Sequence, residues 1–168
     1  MEAIYIPQLL KAPEKTEEIQ IQEFIPGLET LTPVRGRMVV THCGNYLDVS
    51  TQAETIVTLT CDRCLQQYNY RLSVDTSELI WLDKNAQQKD NLPLEREVKL
   101  EDLSEKLPPW GYFQPDSWLY EQLCLAMPLR QLCGKDCQGT APTSSKSDPL
   151  IDSRWATLAA LKKQITNN

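Results

Sequence analysis

Four of the six cysteines in this 168-residue chain form two tight pairs, Cys61-Asp62-Arg63-Cys64 and Cys133-Gly134-Lys135-Asp136-Cys137. Thiolates two or three residues apart can curl round one edge of a metal ion, and two such pairs complete a tetrahedral zinc site. The 68 residues between the pairs, 65–132, far exceed the separation inside a zinc finger or ribbon. One zinc held by Cys61, Cys64, Cys133 and Cys137 would therefore clasp distant parts of the chain, as a structural staple. Two other uses of the thiols stay open, redox chemistry and simple inert thiols. A redox Cys-x-x-Cys needs a helix N-terminus to lower its thiol pKa, whereas Leu65-Gln66-Gln67-Tyr68-Asn69-Tyr70 reads as strand. The three-residue gap of the second pair is less typical of zinc knuckles.

The remaining chemical side chains are sparse. Cys43 and Cys124 stand alone and read as small buried apolar residues. His42 is the only histidine, and a surface position beside a turn suits it better than metal ligation. No Ser-His-Asp or Cys-His constellation avoids it, and no Gly-rich phosphate loop exists. Glu95, Glu97, Glu101, Asp102 and Glu105 read as a solvated acidic face, or as a contact for a basic protein, and not as an acid/base pair. The chain is expected not to be an enzyme. Trp81, Trp110, Trp118 and Trp155 are expected in the core; only Trp155, beside Arg154 and a basic helix, also suits base stacking.

Net charge is −6, which at first sight disfavours nucleic acid. Its distribution weakens that objection. Residues 130–168 carry Arg130, Lys135, Lys146, Arg154, Lys162 and Lys163 against Asp136, Asp148 and Asp152, a local net of +3, while 1–29 hold −4 and 75–129 hold −6. An anionic partner would meet the first region and be repelled by the others; a solvated face is the blander reading. RNA contact, if made, should come from Arg63, Arg130, Arg154, Lys162 and Lys163. The start, Met1-Glu2-Ala3-Ile4-Tyr5-Ile6-Pro7, lacks a secretory pattern, and no window has the apolar length of a membrane span. A cytoplasmic protein without a membrane partner is expected, in a compartment where paired cysteines bind metal more often than they form disulfides.

These residues need elements to position them. Length and a hydrophobic content of 41% suit one globular domain over 1–168. Glu18 to Gln22, Gly36 to Thr41, Tyr46 to Val49, Thr55 to Thr60 and Leu65 to Val74 read as antiparallel strands, with Gly44-Asn45 as a hairpin turn. If Asp62-Arg63 is a two-residue loop, Cys61 opposes Cys64, Leu59 opposes Gln66 and Val57 opposes Tyr68. Val57, Leu59, Tyr68, Tyr70, Leu72 and Val74 then share a face with both sulfurs. An acidic loop over 83–93 follows the sheet of 1–82, and 94–168 reads as a helical, zinc-binding part. Within it, helices are expected over Leu100–Leu107, over Trp118–Met127 after the caps Pro115-Asp116-Ser117, and from Asp152 onward with Trp155, Leu158, Leu161 and Ile165 on one stripe. Residues 138–150 read as a linker. The fold class expected is α+β, an antiparallel sheet followed by helices with a four-cysteine zinc clasp.

Four segments together resemble a known family. Val57-Thr58-Leu59-Thr60-Cys61-Asp62-Arg63-Cys64-Leu65 resembles the C-x-R-C-L signature of the YceD family. Glu121 to Leu129 resembles its E-(Q)-L-x-L-A-L-P helix, Cys133 to Gly139 its C-x3-C-x-G segment, and Asp152-Ser153-Arg154-Trp155-Ala156 its D-P-R-(W)-A start of a terminal helix. The likeness covers roughly 30–165 in consistent order, and the acidic insertion looks most like cyanobacterial or plastid-lineage members. It implies a role in accumulation of large-subunit ribosomal RNA, hence in ribosome assembly, with the rRNA or a pre-ribosomal particle as partner. It also implies metal ligation by Cys61, Cys64, Cys133 and Cys137. Many members continue with L-C-x2-C-G, where this chain has Thr140-Ala141-Pro142-Thr143-Ser144, so a second metal site there is not expected. The rival readings are an acidic adaptor for a basic ribosomal protein and a thiol redox protein.

Overall fold

The computed structural model describes residues 1–84, 86 and 105–140. Its elements are β1 (Ile4–Tyr5), α1 (Ile6–Leu9), a 3-10 turn (Pro13–Lys15), β2 (Thr16–Glu23), β3 (Val34–His42), β4 (Tyr46–Thr60), β5 (Gln67–Leu82), β6 (Lys106–Leu107), β7 (Tyr112–Phe113) and α2 (Pro115–Leu125). β2 to β6 lie in chain order in one five-stranded sheet, antiparallel except for the last pair, and β1 pairs with β7 in a second small sheet. The α+β class is as expected, a sheet-rich N-terminal half followed by a helix. Most of the acidic loop, the stretch 94–104, the linker beyond 140 and the terminal segment lie outside the described residues. With them lie Glu95, Glu97, Glu101, Asp102, Arg154, Trp155, Lys162 and Lys163. Among the described residues, no helix is long and apolar enough to cross a membrane.

Strict alternation makes β4 a single 15-residue strand where two shorter ones were expected. Leu47, Val49, Thr51, Ala53, Thr55, Val57 and Leu59 all turn inward and are buried. The polar members do not interrupt it, because the Thr51 hydroxyl donates to the Arg37 carbonyl (3.1 Å) and the Thr55 hydroxyl to the Thr32 carbonyl (2.7 Å). A satisfied hydroxyl can stay buried at little cost. The inward face is covered by Ile4, Ile6 and Leu9 from the chain start and by Phe113, Trp118, Leu119 and Leu123, in one continuous core. Each fully buried side chain of this size contributes about 2 kcal/mol.

Helix α2 starts at Pro115, a proline at its first turn, and not at Trp118. Gln114 is the N-cap, so Asp116 and Ser117 sit inside the first turn, where the Asp116 charge complements the helix dipole. One carboxylate oxygen of Glu78 on β5 accepts from both Trp118 Nε1 (2.7 Å) and Gln122 Nε2 (3.0 Å), fastening α2 to the sheet. The helix expected over Leu100–Leu107 is corrected at its described end. Lys106 and Leu107 are strand β6, because the end of β5 pairs with them: Trp81 N–H donates to the Glu105 carbonyl (3.0 Å) and Asp83 N–H, just past β5, to the Leu107 carbonyl (2.9 Å). Pro108 further disfavours helical backbone at Leu107.

The Gly44-Asn45 turn is present, with Gly44 at φ +96° and the Cys43 N–H donating to the Tyr46 carbonyl (2.9 Å). His42 is not on the surface. Its pairing with Leu47 turns it inward to 7% exposure, and its Nδ1 accepts from the Gly44 N–H (3.0 Å). Cys43 is exposed, not buried, because it lies past the end of β3. Trp118 is core, whereas Trp81 and Trp110 are exposed, the former edge-on to Tyr46 at 5.6 Å on the open face of the sheet.

Candidate metal centre

β4 delivers Cys61 on its inward face, fully buried. The chain then makes a wider turn than a two-residue loop, with residues 62–65 between Cys61 and Gln66. Cys61 N–H donates to the Gln66 carbonyl (2.9 Å), and Leu65 N–H donates back to the Cys61 carbonyl (2.9 Å). The register is thus shifted by two from the expected one, with Leu59 opposite Tyr68 and Val57 opposite Tyr70. A shift of two preserves faces, so the core assignment survives it. Its cause is Leu65, which stands at φ +62°. That left-handed conformation costs a non-glycine residue on the order of 1–2 kcal/mol, and it lets the chain curl so that Cys64 returns towards Cys61.

The second loop is stitched to this tip by polar contacts from both sides. Asp62 N–H donates to the Gln131 carbonyl (2.7 Å), and Gln131 N–H donates to the Asp62 carboxylate (2.8 Å). Arg63 Nη1 donates to the Cys137 carbonyl (2.6 Å), and Thr140 N–H reaches the Arg63 carbonyl (3.3 Å). Gly139, at φ +77°, lets the chain pass the Arg63 stem, whose Cγ would sit 3.1 Å from any Cβ there. The locking contacts of Asp62 and Gln131 and the left-handed backbone of Leu65 carry no local sequence signal, whereas the C-x3-C-x-G spacing points to Gly139.

The outcome is a cluster of four sulfurs, from Cys61, Cys64, Cys133 and Cys137, all within 4.8 Å of one another. Cys61 and Cys137 approach to 3.8 Å, and Cys64 and Cys133 to 3.7 Å, each contact joining the two loops. A tetrahedral ion with metal–sulfur bonds of about 2.3 Å holds its sulfurs about 3.8 Å apart. The four cysteines therefore fit one metal ion in a tetrathiolate site. Their electrostatics point the same way. Backbone N–H groups of Cys133, Cys64 and Arg63 donate to the Cys61 sulfur and push its pKa down to about 6, despite burial. Cys133, crowded by the sulfurs of Cys137, Cys64 and Cys61, is pushed up to about 12. Four thiolates cannot share so small a volume without a counter-charge, which a divalent cation supplies. No helix begins at Cys61-x-x-Cys64, which lies between β4 and β5, so thioredoxin-type activation has no structural source.

Of the five proposed RNA-contacting residues, Arg63 and Arg130 are described and both are exposed. Arg63 does not project freely from the tip. It spends one donor on the Cys137 carbonyl, within the ligand loop. Removing such a support around a metal site costs about 10-fold or more in affinity. Arg63→Ala should therefore give up its metal about tenfold more readily in competition with a chromophoric chelator, while Arg130→Ala should behave as wild type.

A protein-family model described as "Large ribosomal RNA subunit accumulation protein YceD" matches residues 49–162. No curated protein and no solved structure matches the chain. The matched span takes in most of β4, both cysteine pairs and α2. It covers more than half of the chain, and the chain therefore belongs to the YceD family of large ribosomal RNA subunit accumulation proteins.

Proposed function

We propose that this protein is a non-enzymatic factor for accumulation of large-subunit rRNA, and so for large-subunit assembly, whose working surface is held together by one structural zinc. The observation that carries the reading is the family match over both cysteine pairs, coupled to their convergence into a four-sulfur cluster. Four thiolates at tetrahedral spacing suit zinc, a d10 ion without redox chemistry or a geometric preference of its own. When bound, the ion supplies folding energy and neutralises the thiolates. The chain does the rest: Asp62, Arg63 and Gln131 lock the two loops, and the basic residues around and beyond them face the partner.

That partner is large-subunit rRNA or a pre-ribosomal particle, met in the cytoplasm by Arg63, Arg130, Arg154, Lys162 and Lys163. The charge asymmetry supports this, since residues 130–168, which include the second cysteine loop, carry a net of +3 in a chain of net −6. In cells depleted of the protein, sedimentation should show a deficit of large subunits, and the large-subunit rRNA should fall relative to the small-subunit rRNA. Unchanged profiles and rRNA ratios would remove the reading. Direct RNA contact has its own test. In gel shifts with a large-subunit rRNA fragment, the triple variant Arg154→Ala, Lys162→Ala, Lys163→Ala should bind more weakly and flatten the log–log salt slope by about 2–3. An unaltered affinity and slope would take RNA off the C-terminal surface.

A further inference from the structure

The four sulfurs of the cluster are not equally accessible. Cys61 is fully buried, Cys64 and Cys137 are half-buried, and Cys133 is exposed. With a metal bound all four are thiolates, so access decides which of them an oxidant reaches first. That sulfur is the one of Cys133. Its contact, at 3.7 Å, is Cys64 of the hairpin tip, 69 residues away in sequence. The second contact, Cys61 to Cys137 at 3.8 Å, also runs from the tip to the second loop. Joining Cys64 to Cys133 would therefore leave one metal ligand on each loop, Cys61 on the tip and Cys137 on its partner, so the loops would not come free of one another. A disulfide within either pair would have the opposite result, because both remaining ligands would lie on one loop.

We infer that Cys64 and Cys133 form an oxidation site, through which hydrogen peroxide converts the metal clasp into a disulfide clasp without opening it. The Cys133 thiolate attacks one peroxide oxygen, the O–O bond breaks, and a sulfenic acid and hydroxide result. The Cys64 thiolate then attacks the sulfenyl sulfur, the S–S bond forms, and a second hydroxide leaves. Protons from solvent turn both hydroxides into water, so the sulfur pair loses two electrons and one peroxide gains them. The sulfurs need to close only from 3.7 Å to about 2.05 Å. A second peroxide joins Cys61 to Cys137 by the same steps, and the metal is released. Disulfides across so long a stretch of chain restrain the unfolded state strongly, so they can take over the role of staple. The reaction is stoichiometric and needs no thiol-activating helix. It rests on the clasp reading for the charge of the sulfurs, and on the contacts between the loops for the pairing.

The test uses the full chain carrying Cys43→Ser and Cys124→Ser, which removes the two thiols outside the cluster. Reduced, zinc-loaded protein is titrated with hydrogen peroxide, the remaining thiols are alkylated, and the product is digested with trypsin without reduction. Cuts after Arg63, Arg71, Arg130 and Lys135 place each of the four cysteines on its own peptide, so every pairing is distinguished by mass spectrometry. The first equivalent of peroxide should link Cys64 to Cys133 and leave Cys61 and Cys137 open to alkylation. The second should link Cys61 to Cys137, while a zinc-binding dye reports loss of the metal. The oxidised, zinc-free protein should melt within about 3 °C of the zinc form, and reduced protein stripped by chelator at least about 6 °C below it. Any other pairing, whether within one loop or between two copies, sulfinic or sulfonic acids in place of disulfides, or an oxidised form that melts with the stripped protein would each overturn the inference. Protein that carries no zinc when purified without chelator would count against the clasp reading, and the pairing adopted by its thiols would still decide the inference.

Discussion

Replacing Cys137 with serine is expected to release the metal and to free the second loop from the hairpin tip. The hydrogen bonds across the clasp, including Arg63 to the Cys137 carbonyl, are mostly exposed and cannot hold the loops alone. Structural zinc contributes on the order of 10 kcal/mol in small sites. The core of this protein is largely independent of the clasp, so only part of that will appear as lost stability. A loss of about 3 kcal/mol would lower the melting temperature by about 6–12 °C in a domain of this size. Cys61→Ser should be at least as damaging, because its sulfur is buried among backbone N–H donors. Cys124→Ser is the control, since that thiol lies on α2 outside the cluster and its loss should leave metal and melting temperature unchanged. Elemental analysis and thermal melts of the three variants decide the matter. Equal melting of Cys137→Ser and wild type would mean that the clasp is not a stability element.

The second large effect is expected at Gly36, far from any sulfur. Gly36 pairs with Ala53 across β3 and β4. A Cβ added there would stand 2.1 Å from the Gln52 carbonyl oxygen and 2.6 Å from the Ala53 Cα, both main-chain atoms that cannot rotate away. Gly36→Ala must push β3 and β4 apart near the Arg35–Glu54 end of their pairing. Overpacking of side chains alone costs about 1–3 kcal/mol, and a main-chain collision belongs at or above the top of that range. A melting temperature lowered by about 6 °C or more is expected by circular dichroism. Gly134→Ala, with nothing within 4 Å of the new methyl, should be close to neutral. Equal stability of the two variants would show that β3 can give way.

Why some of this was legible in the sequence and some was not follows from the range of each interaction. The four-sulfur cluster was legible because cysteines are chemically rare and come here in locally spaced pairs, so that Cys61, Cys64, Cys133 and Cys137 stand out together. The face shared by Val57, Leu59, Tyr68, Tyr70, Leu72 and Val74 was legible from alternation alone. The hairpin register was not, because it hangs on Leu65 adopting a left-handed conformation that its residue type does not announce. β4 was split in two by Ser50 to Glu54, a run that looks like a loop until the partners of Thr51 and Thr55 are seen across the sheet. β6 was hidden for the same reason: Leu100, Leu103 and Leu107 have helical spacing, but Lys106 and Leu107 obey a parallel pairing to Trp81 and Leu82. The burial of His42 and exposure of Cys43 reversed because a single residue decides which side of a strand end each occupies.

The proposed function rests on one zinc ion joining the tip of the β4–β5 hairpin to the loop at 133–137. X-ray absorption at the zinc edge, on full-length protein purified without chelator and with metal content measured on the same sample, addresses it most directly. One zinc per chain, surrounded by four sulfurs at about 2.3 Å, is the predicted result. A sample without stoichiometric zinc, or a zinc shell containing nitrogen or oxygen in place of one or more of the sulfurs of Cys61, Cys64, Cys133 and Cys137, would contradict it.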